Sequence, residues 1–420
     1  MKRKKYWFLF AILLLSLSSL SPSFDFTHNT RREPPGDEPI PPQQRPDIPD
    51  RDLGPVKVGV QLNGDEMRQL KAINERFKEE TGAEIEIVPL ETNEEQLESF
   101  LLQMTLGEGP DVLLMDTHYI KALAMNGYLL PVDASQAVMP GGDTLSGLLP
   151  PLQWNGYQWG MPFDIDPYVM TWQAKEKDGT VFKMPESRKA WQEFFELHKE
   201  TPVISFDPND PYAFGAAVHL LEGDPSKPEQ EVLDMLTHNR KQMMETNQVE
   251  EDTPRNTEEP SSPSSGKGEA PVVIEPYSSF SDKDTEGLSL ALAMGKTHLN
   301  TPVVRTRSFA VAAHTESPAL AMKWITYMTD KDIQHEWSKD VGTLPVVSEL
   351  YVTGAALRDR GIWQKAAVPA QVLLSRNEAA ALEFGDAEGF LTYSESARRL
   401  LLGEMTREEY MRLYRSDQHE

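Results

Sequence analysis

The chain has 420 residues, of which 39% are hydrophobic, and this is enough for more than one domain core. Acidic residues outnumber basic ones by 66 to 41, and the formal net charge of -25 disfavours binding to nucleic acid. There is no cysteine, which excludes disulfides, a thiolate nucleophile and a lipid-modified N-terminal cysteine.

The first residues have the layout of an export signal. Four basic residues at positions 2–5 precede an apolar run over residues 6–15. We interpret residues 1–24 as a signal peptide or an uncleaved N-terminal anchor that associates with a membrane. Residues 25–54 are polar and rich in proline, which is typical of a disordered stalk. The sequence therefore predicts an exported protein, either secreted or held at the extracellular face of the cell membrane.

The folded part begins near residue 55 with alternating strands and helices. Residues 56–62 predict a strand, and a helix follows, since apolar residues recur at helical spacing up to Thr81. Residues 83–88 and 112–115 predict two further strands, with an amphipathic helix between them around residues 97–104. Strand, helix, strand, helix, strand predicts a mostly parallel α/β sheet.

Polar side chains follow the first and third predicted strands. Asn63, Asp65 and Glu66 come after the first, and Asp116, Thr117 and His118 end the third. Because ligands of such sheets bind outside the carboxyl ends of the strands, both polar turns lie on one rim, and Asn63 and the three acids are candidate ligand contacts. Helix capping is the competing interpretation of Asp65 and Glu66. Asp111 is expected to tie a turn instead.

The later part of the chain is less regular. Residues 245–268 have low complexity and predict a disordered loop. Strands are predicted at residues 271–275 and 288–294, and a helix is predicted at residues 318–328. A last helical stretch is expected from residue 394 to 414, with a break at Gly403.

Several motifs resemble the extracellular solute-binding proteins of ABC transporters, in the branch that contains maltose-binding protein. The most specific is GEGPDVLLMD at residues 107–116. NGYQWGMPFDID at 155–166 and GTLP at 342–345 are similar to segments where the chain of that family passes between its lobes. Each motif is weak alone, and their order along the chain carries the resemblance.

This resemblance implies an α/β fold of the periplasmic-binding-protein type (type II), with two α/β lobes joined by hinge crossovers. The first lobe would comprise residues 55–164 and 308–345, and the second would comprise 165–307 and 346–420. The expected function is that of a monomeric receptor without enzymatic activity, metal or cofactor. It would bind a small solute, a sugar or oligosaccharide, and deliver it to the transmembrane subunits of an ABC permease.

A sugar site needs carboxylates for hydroxyl groups and aromatic rings for stacking. Asp164 and Asp166 alternate on one extended segment, and Asp166 matches an acidic ligand position of the family. Four aromatic residues are further candidates by resemblance: Tyr212, Tyr277, Phe390 and Tyr393. Salt bridges to nearby acids are expected for Arg305 and Arg307.

Two other functions are compatible with the sequence. One is a ligand-sensing or scaffold module without a role in transport, which the missing lipid-anchor cysteine favours. The other is a secreted glycoside hydrolase that uses Asp164 and Asp166 as its acid and base.

Overall fold

The computed structural model describes residues 55–90, 94–132, 144–173, 183–225, 227–251, 270–279, 288–293, 303–352 and 387–416. The signal segment and the stalk predicted for residues 1–54 lie outside these ranges. The strands are β1 (Val56–Val60), β2 (Ile85–Pro89), β3 (Val112–Asp116), β4 (Leu129–Leu130), β5 (Gln153–Trp154), β6 (Tyr157–Gln158), β7 (Met161–Gln173), β8 (Ile204–Ser205), β9 (Val272–Pro276), β10 (Leu288–Leu292), β11 (Val304–Ala312) and β12 (Leu344–Pro345). The α-helices are α1 (Gly64–Thr81), α2 (Glu94–Leu106), α3 (His118–Met125), α4 (Arg188–Leu197), α5 (Pro211–Leu220), α6 (Gln230–Glu251), α7 (Pro318–Met328), α8 (Lys331–Val341), α9 (Ser348–Val352), α10 (Ala387–Leu402) and α11 (Arg407–Ser416).

The main sheet is mixed. Its order is β2-β1-β3-β11-β7-β9-β8, with β4, β10 and β12 attached to its inner strands. β1 pairs parallel with β2 and β3, as predicted, and β8 pairs parallel with β9. The prediction of a mostly parallel sheet was wrong for the rest, because β11 returns antiparallel to β3 and β7. The 13-residue strand β7 therefore carries pairing partners of both halves of the sheet.

Apolar side chains form three clusters. The first core cluster includes Phe77, Phe163 and Trp324 and lies around β1, β3, β11 and helices α1, α7 and α8. A smaller cluster covers the other face of β3 and β11 with α2 and α3. The second core cluster includes Trp191 and Phe214 and lies around β8, β9 and helices α4, α5, α6, α10 and α11. The first cluster and the smaller one share β3 and β11 and together form the first core region, and the second core cluster forms the second core region. Two separately packed regions on one sheet are the arrangement expected for two lobes.

Helix α1 shows how the local sequence fixes the first region. Leu70, Ile73 and Phe77 recur at helical spacing and are buried against the sheet. Asn74 is buried beside them, where its Oδ1 accepts a hydrogen bond from Trp324 Nε1 at 2.9 Å. The helix ends at Gly82, whose positive φ of 70° suits glycine. The helix and its end are as predicted.

Two boundaries differ from the sequence-based expectation. The disordered loop was predicted to begin at residue 245, but α6 continues to Glu251. Its last turns are rich in Met, Glu and Gln, which are strong helix formers, and the polar composition concealed this. The last helical stretch begins at Ala387 instead of residue 394, and it breaks at Gly403 as predicted, with φ of 76°. Residues 252–268 of the predicted loop lie outside the described ranges.

In the parts of the chain that the structure describes, no helix is both long enough and apolar enough to cross a membrane.

Candidate functional site

Three strand segments run side by side where the two core regions meet. β11 and β12 both pair antiparallel with β7. In this register Arg305 lies opposite Asp166, and Arg307 lies opposite Asp164. Residues two apart on a strand point to the same face, so the two arginines share one side of β11. The strands therefore bring two carboxylate and two guanidinium side chains together.

The Asp164 carboxylate is held by three neighbouring side chains. Arg307 forms a two-point ion pair with it, and its Nε donates to Oδ1 at 2.9 Å. Oδ2 accepts hydrogen bonds from Trp337 Nε1 at 2.9 Å and from Thr343 Oγ1 at 3.2 Å. Asp164 is buried, so its charge depends on these partners. The contacts support a structural role, and a contact with solute stays a prediction.

Asn63 and Glu66 form a capping box at the start of α1. The Asn63 side chain accepts from the backbone N–H groups of Asp65 and Glu66, and Glu66 Oε2 accepts from the Asn63 backbone N–H at 2.8 Å. The other Glu66 oxygen contacts Arg307 Nη1 at 2.8 Å. The Asp65 side chain is 83% exposed and pairs with Arg68. In this conformation the predicted ligand loop supports the helix and the buried arginine.

We expect Asn63→Ala to lower the free energy of unfolding by about 1 kcal/mol, because the cap of α1 loses its acceptor. Urea denaturation measures this change. Asp65→Ala is the matched control, because its exposed side chain pairs only at the surface, and it should cost less than about 0.5 kcal/mol. A loss of solute affinity in Asn63→Ala at unchanged stability would contradict the capping role.

A cluster of rings joins the first core region to the second. We call His118, Tyr168, Tyr212 and Phe390 the ring cluster. His118 begins α3, and its ring centroid lies 3.6 Å from that of Phe390 on α10. Its Nδ1 lies 3.1 Å from the hydroxyl of Tyr212 on α5. Tyr168 stacks on Tyr212 with centroids 6.0 Å apart and donates a hydrogen bond to Asp210 Oδ2 at 2.5 Å.

Arg305 links the acids to the ring cluster. Its Nε donates to Asp116 Oδ1 at 2.9 Å, at the end of β3. Its charge is also close enough to influence the ionisation of Asp166, Tyr168 and Tyr212. The salt bridges predicted for both arginines are therefore confirmed.

Asp166 sits in an environment that favours its protonated form. Burial raises the pKa of its carboxyl to about 6, although hydrogen bonds from Ser278 lower the pKa in part. The backbone N–H of Ser278 donates to Oδ1 at 2.9 Å, and its hydroxyl donates to Oδ2 at 2.5 Å. A carboxyl near its pKa can donate as well as accept a hydrogen bond.

Two predicted stacking residues lie inside the core regions. Tyr277 is fully buried in the first core cluster, beside Ser278. Tyr393 is fully buried in the second, and its hydroxyl donates to the backbone oxygen of Pro211 at 3.1 Å. Their rings pack against protein side chains, and their proposed stacking on a solute remains a prediction.

Of the predicted residues, the structure brings Asp116, Asp166, Tyr212 and Phe390 around Arg305 and His118. It holds Asn63, Glu66 and Asp164 around Arg307. The sequence placed His118 in the polar turn at the end of β3, on the ligand rim, but did not predict its contacts with Tyr212 and Phe390. It also missed the pairing of Tyr168 with Asp210, since only the fold brings these positions together.

The arrangement of these side chains suits the binding of polar groups better than catalysis. It combines carboxylates, guanidinium groups and aromatic faces, which bind hydroxyl groups and the apolar face of a ring. Both Asp164 and Asp166 are engaged by protein donors. Within the described ranges, no group of three or more acidic or histidine side chains is placed to hold a metal ion.

Solved structures of solute-binding proteins share this fold at low sequence identity. An ABC transporter solute-binding protein from Thermotoga lettingae, bound with α-D-tagatose, matches with a TM-score of 0.63 and 14% identity over 86% of this chain and 98% of its own. The GacH receptor of Streptomyces glaucescens, solved unliganded and with acarbose, matches with a TM-score of 0.62 and 18% identity over 87% and 97%. A protein from Agrobacterium vitis with bound D-mannitol gives a TM-score of 0.62 and 16% identity over 86% and 96%.

These likenesses confirm the predicted type II fold of two α/β lobes. A search of curated proteins finds no significant match. A family model described as bacterial extracellular solute-binding protein matches residues 72–369. That match spans more than two thirds of the sequence and confirms the resemblance seen in its motifs, so the chain belongs to the bacterial extracellular solute-binding proteins.

Proposed function

We propose that the protein is the receptor of an ABC import system, which closes around a neutral sugar or polyol and delivers it to a membrane permease. The observation that carries this proposal is the contact of His118, from the first core region, with Tyr212 and Phe390 from the second. A solute bound there would touch both regions at once. Hinge closure would then trap it.

The chemistry of the site supports a carbohydrate. Rings stack on the apolar face of a sugar, and acids and arginines form hydrogen bonds to its hydroxyl groups. Structures with the same fold have bound tagatose, mannitol and acarbose. Capture at the outer face of the membrane is part of the proposal, with residues 1–24 as the signal or anchor and residues 25–54 as the stalk.

A thermal-shift panel tests the binding step. Maltose, maltotetraose, D-tagatose, D-mannitol and D-glucuronate would be added to the purified protein. Solute at 100 times its dissociation constant stabilises the folded state by about 2.7 kcal/mol, so a binding sugar should raise the melting temperature by several degrees. Calorimetry of each positive compound gives its affinity.

Two outcomes would contradict the proposal. If no saccharide or polyol shifts the melting temperature, the proposal of a carbohydrate ligand is rejected. If reducing ends are released from an oligosaccharide, the protein acts as a glycoside hydrolase instead. The transport step is tested separately, by sugar uptake into membrane vesicles with and without added protein. Sugar binding with no stimulated uptake would favour the sensing module.

A further inference from the structure

Arg305 and Arg307 point to the same side of β11 but differ in how their nitrogen atoms are used. Arg307 is almost fully buried, with 4% of its side chain exposed, and it contacts Asp164 and Glu66 through all three of its nitrogens. The Arg305 side chain is 36% exposed. Among the described residues, only its Nε has a protein acceptor, Asp116 Oδ1. Within the described ranges, the two terminal nitrogens of Arg305 therefore have no protein acceptor and can donate to water or a solute.

The surroundings of Arg305 are those of a binding site. Tyr168 and Tyr212 lie near enough to act electrostatically on its charge, and both are buried aromatic residues of the ring cluster. A guanidinium group holds its donors in a rigid, planar fork. Because Asp116 fixes the Nε side of that fork, the terminal nitrogens have a defined orientation before any solute arrives.

We propose that Arg305 is a specificity-determining residue, which donates from its two terminal nitrogens to neighbouring oxygen atoms of a neutral polyhydroxylated solute. We propose further that Asp116 is a positioning residue, which acts by orienting Arg305 and does not itself contact the solute. This inference rests on the proposed function and names the group that anchors the solute. It revises the sequence-based prediction that Asp116 is a direct ligand.

The local charges favour a neutral solute over an anionic one. Asp116 already neutralises Arg305, and Asp164 with Glu66 does the same for Arg307. Asp166 and Asp210 add further acidic groups within electrostatic range of Arg305. A carboxylate on the solute would meet these acids, whereas hydroxyl groups can accept from arginine and donate to a carboxylate without a charge cost.

Arg305→Gln tests the anchor. We expect its dissociation constant for the neutral sugar or polyol that binds wild type best in the panel to rise roughly 10- to 100-fold, because hydrogen bonds from a charged donor are lost. Arg305→Lys keeps the charge but loses the fork, so it should also bind more weakly. Arg398→Gln is the matched control. Its side chain is 34% exposed and pairs with Glu395 on α10 and with Glu404 just after that helix, so the affinity of this variant should equal that of wild type.

A double-mutant cycle tests the positioning role of Asp116. If Asp116 acts only through Arg305, the variant with both Asp116→Ala and Arg305→Gln should bind within about twofold of Arg305→Gln alone. Asp116→Asn keeps an oxygen acceptor for Arg305 Nε and should restore part of the affinity that Asp116→Ala loses. A merely structural role of Asp116 would not produce this rescue at equal stability.

Each result decides the inference. Wild-type affinity in both Arg305 variants would overturn the anchor while leaving the proposed function intact. Additive losses in the cycle would return Asp116 to a direct ligand. Tighter binding of D-glucuronate than of every neutral sugar and polyol in the panel would contradict the preference for a neutral solute. Binding of no sugar or polyol by wild type would remove the proposed function itself, and the inference with it.

Discussion

Asp164→Ala should destabilise the protein by about 3–5 kcal/mol, as measured by urea denaturation at neutral pH. The change leaves the buried Arg307 guanidinium without its main counter-charge, and a buried charge that loses its partner is strongly destabilising. Trp337 and Thr343 also lose the acceptor of their hydrogen bonds. The effect is large because the structure keeps these groups away from water.

The double variant with Asp164→Leu and Arg307→Met separates the charge effect from packing. It removes both charges of the pair and should be more stable than Asp164→Ala alone, since hydrophobic replacement of a buried ion pair is often neutral or stabilising. Equal destabilisation in the two variants would show that the cost comes from packing. A loss below about 1 kcal/mol in Asp164→Ala would contradict the buried network.

His118 should make the folded state sensitive to acid. Burial in the ring cluster lowers the pKa of its imidazole to about 4, below the ordinary 6.5. As the pH falls, the unfolded chain therefore takes up the proton before the folded state does. The contribution of neutral His118 to the free energy of unfolding is complete above pH 6.5 and is lost as the pH falls through about 4. The difference in unfolding free energy between wild type and His118→Gln should shrink by about 3 kcal/mol from pH 7 to pH 4.

Asp166→Asn should show the opposite dependence of the free energy of unfolding on pH. The pKa of Asp166 is raised by burial to about 6, so its stabilisation is complete below the ordinary value near 3.8 and is lost as the pH rises through about 6. Wild type should lose stability relative to Asp166→Asn over this interval. A pH-independent difference for either variant would show that the group is solvated in the folded state.

The sequence predicted the first half of the fold well because its signals are local. Strands β1 to β3 and helix α1 show their periods directly in the apolar residues. The antiparallel return of β11 depends on pairing with β7, more than 130 positions earlier, and no local pattern encodes such a partner. The extra turns of α6 were missed because a polar composition was given more weight than helix propensity.

The site was predicted in its residue types more than in its contacts. The salt bridges of Arg305 and Arg307 followed from acids near the crossover, and Asp111 does tie its turn, where its Oδ2 accepts from the Lys57 backbone N–H at 2.8 Å. Which acids face a solute could not be predicted, because Asp164 and Asp166 look alike in sequence. Only the structure shows that one of them is closed in by Trp337 and Arg307.

Solute binding between the two core regions is the central claim, and a distance measurement tests it most directly. Because the chain has no cysteine, the variant with Lys71→Cys and Glu193→Cys would carry only two spin labels. Both positions are exposed, one on α1 of the first core region and the other on α4 of the second. Pulsed electron spin resonance, with and without the sugar that binds best, should give a shorter and narrower distance distribution when the sugar is bound. An identical distribution at saturating sugar would contradict closure around the solute.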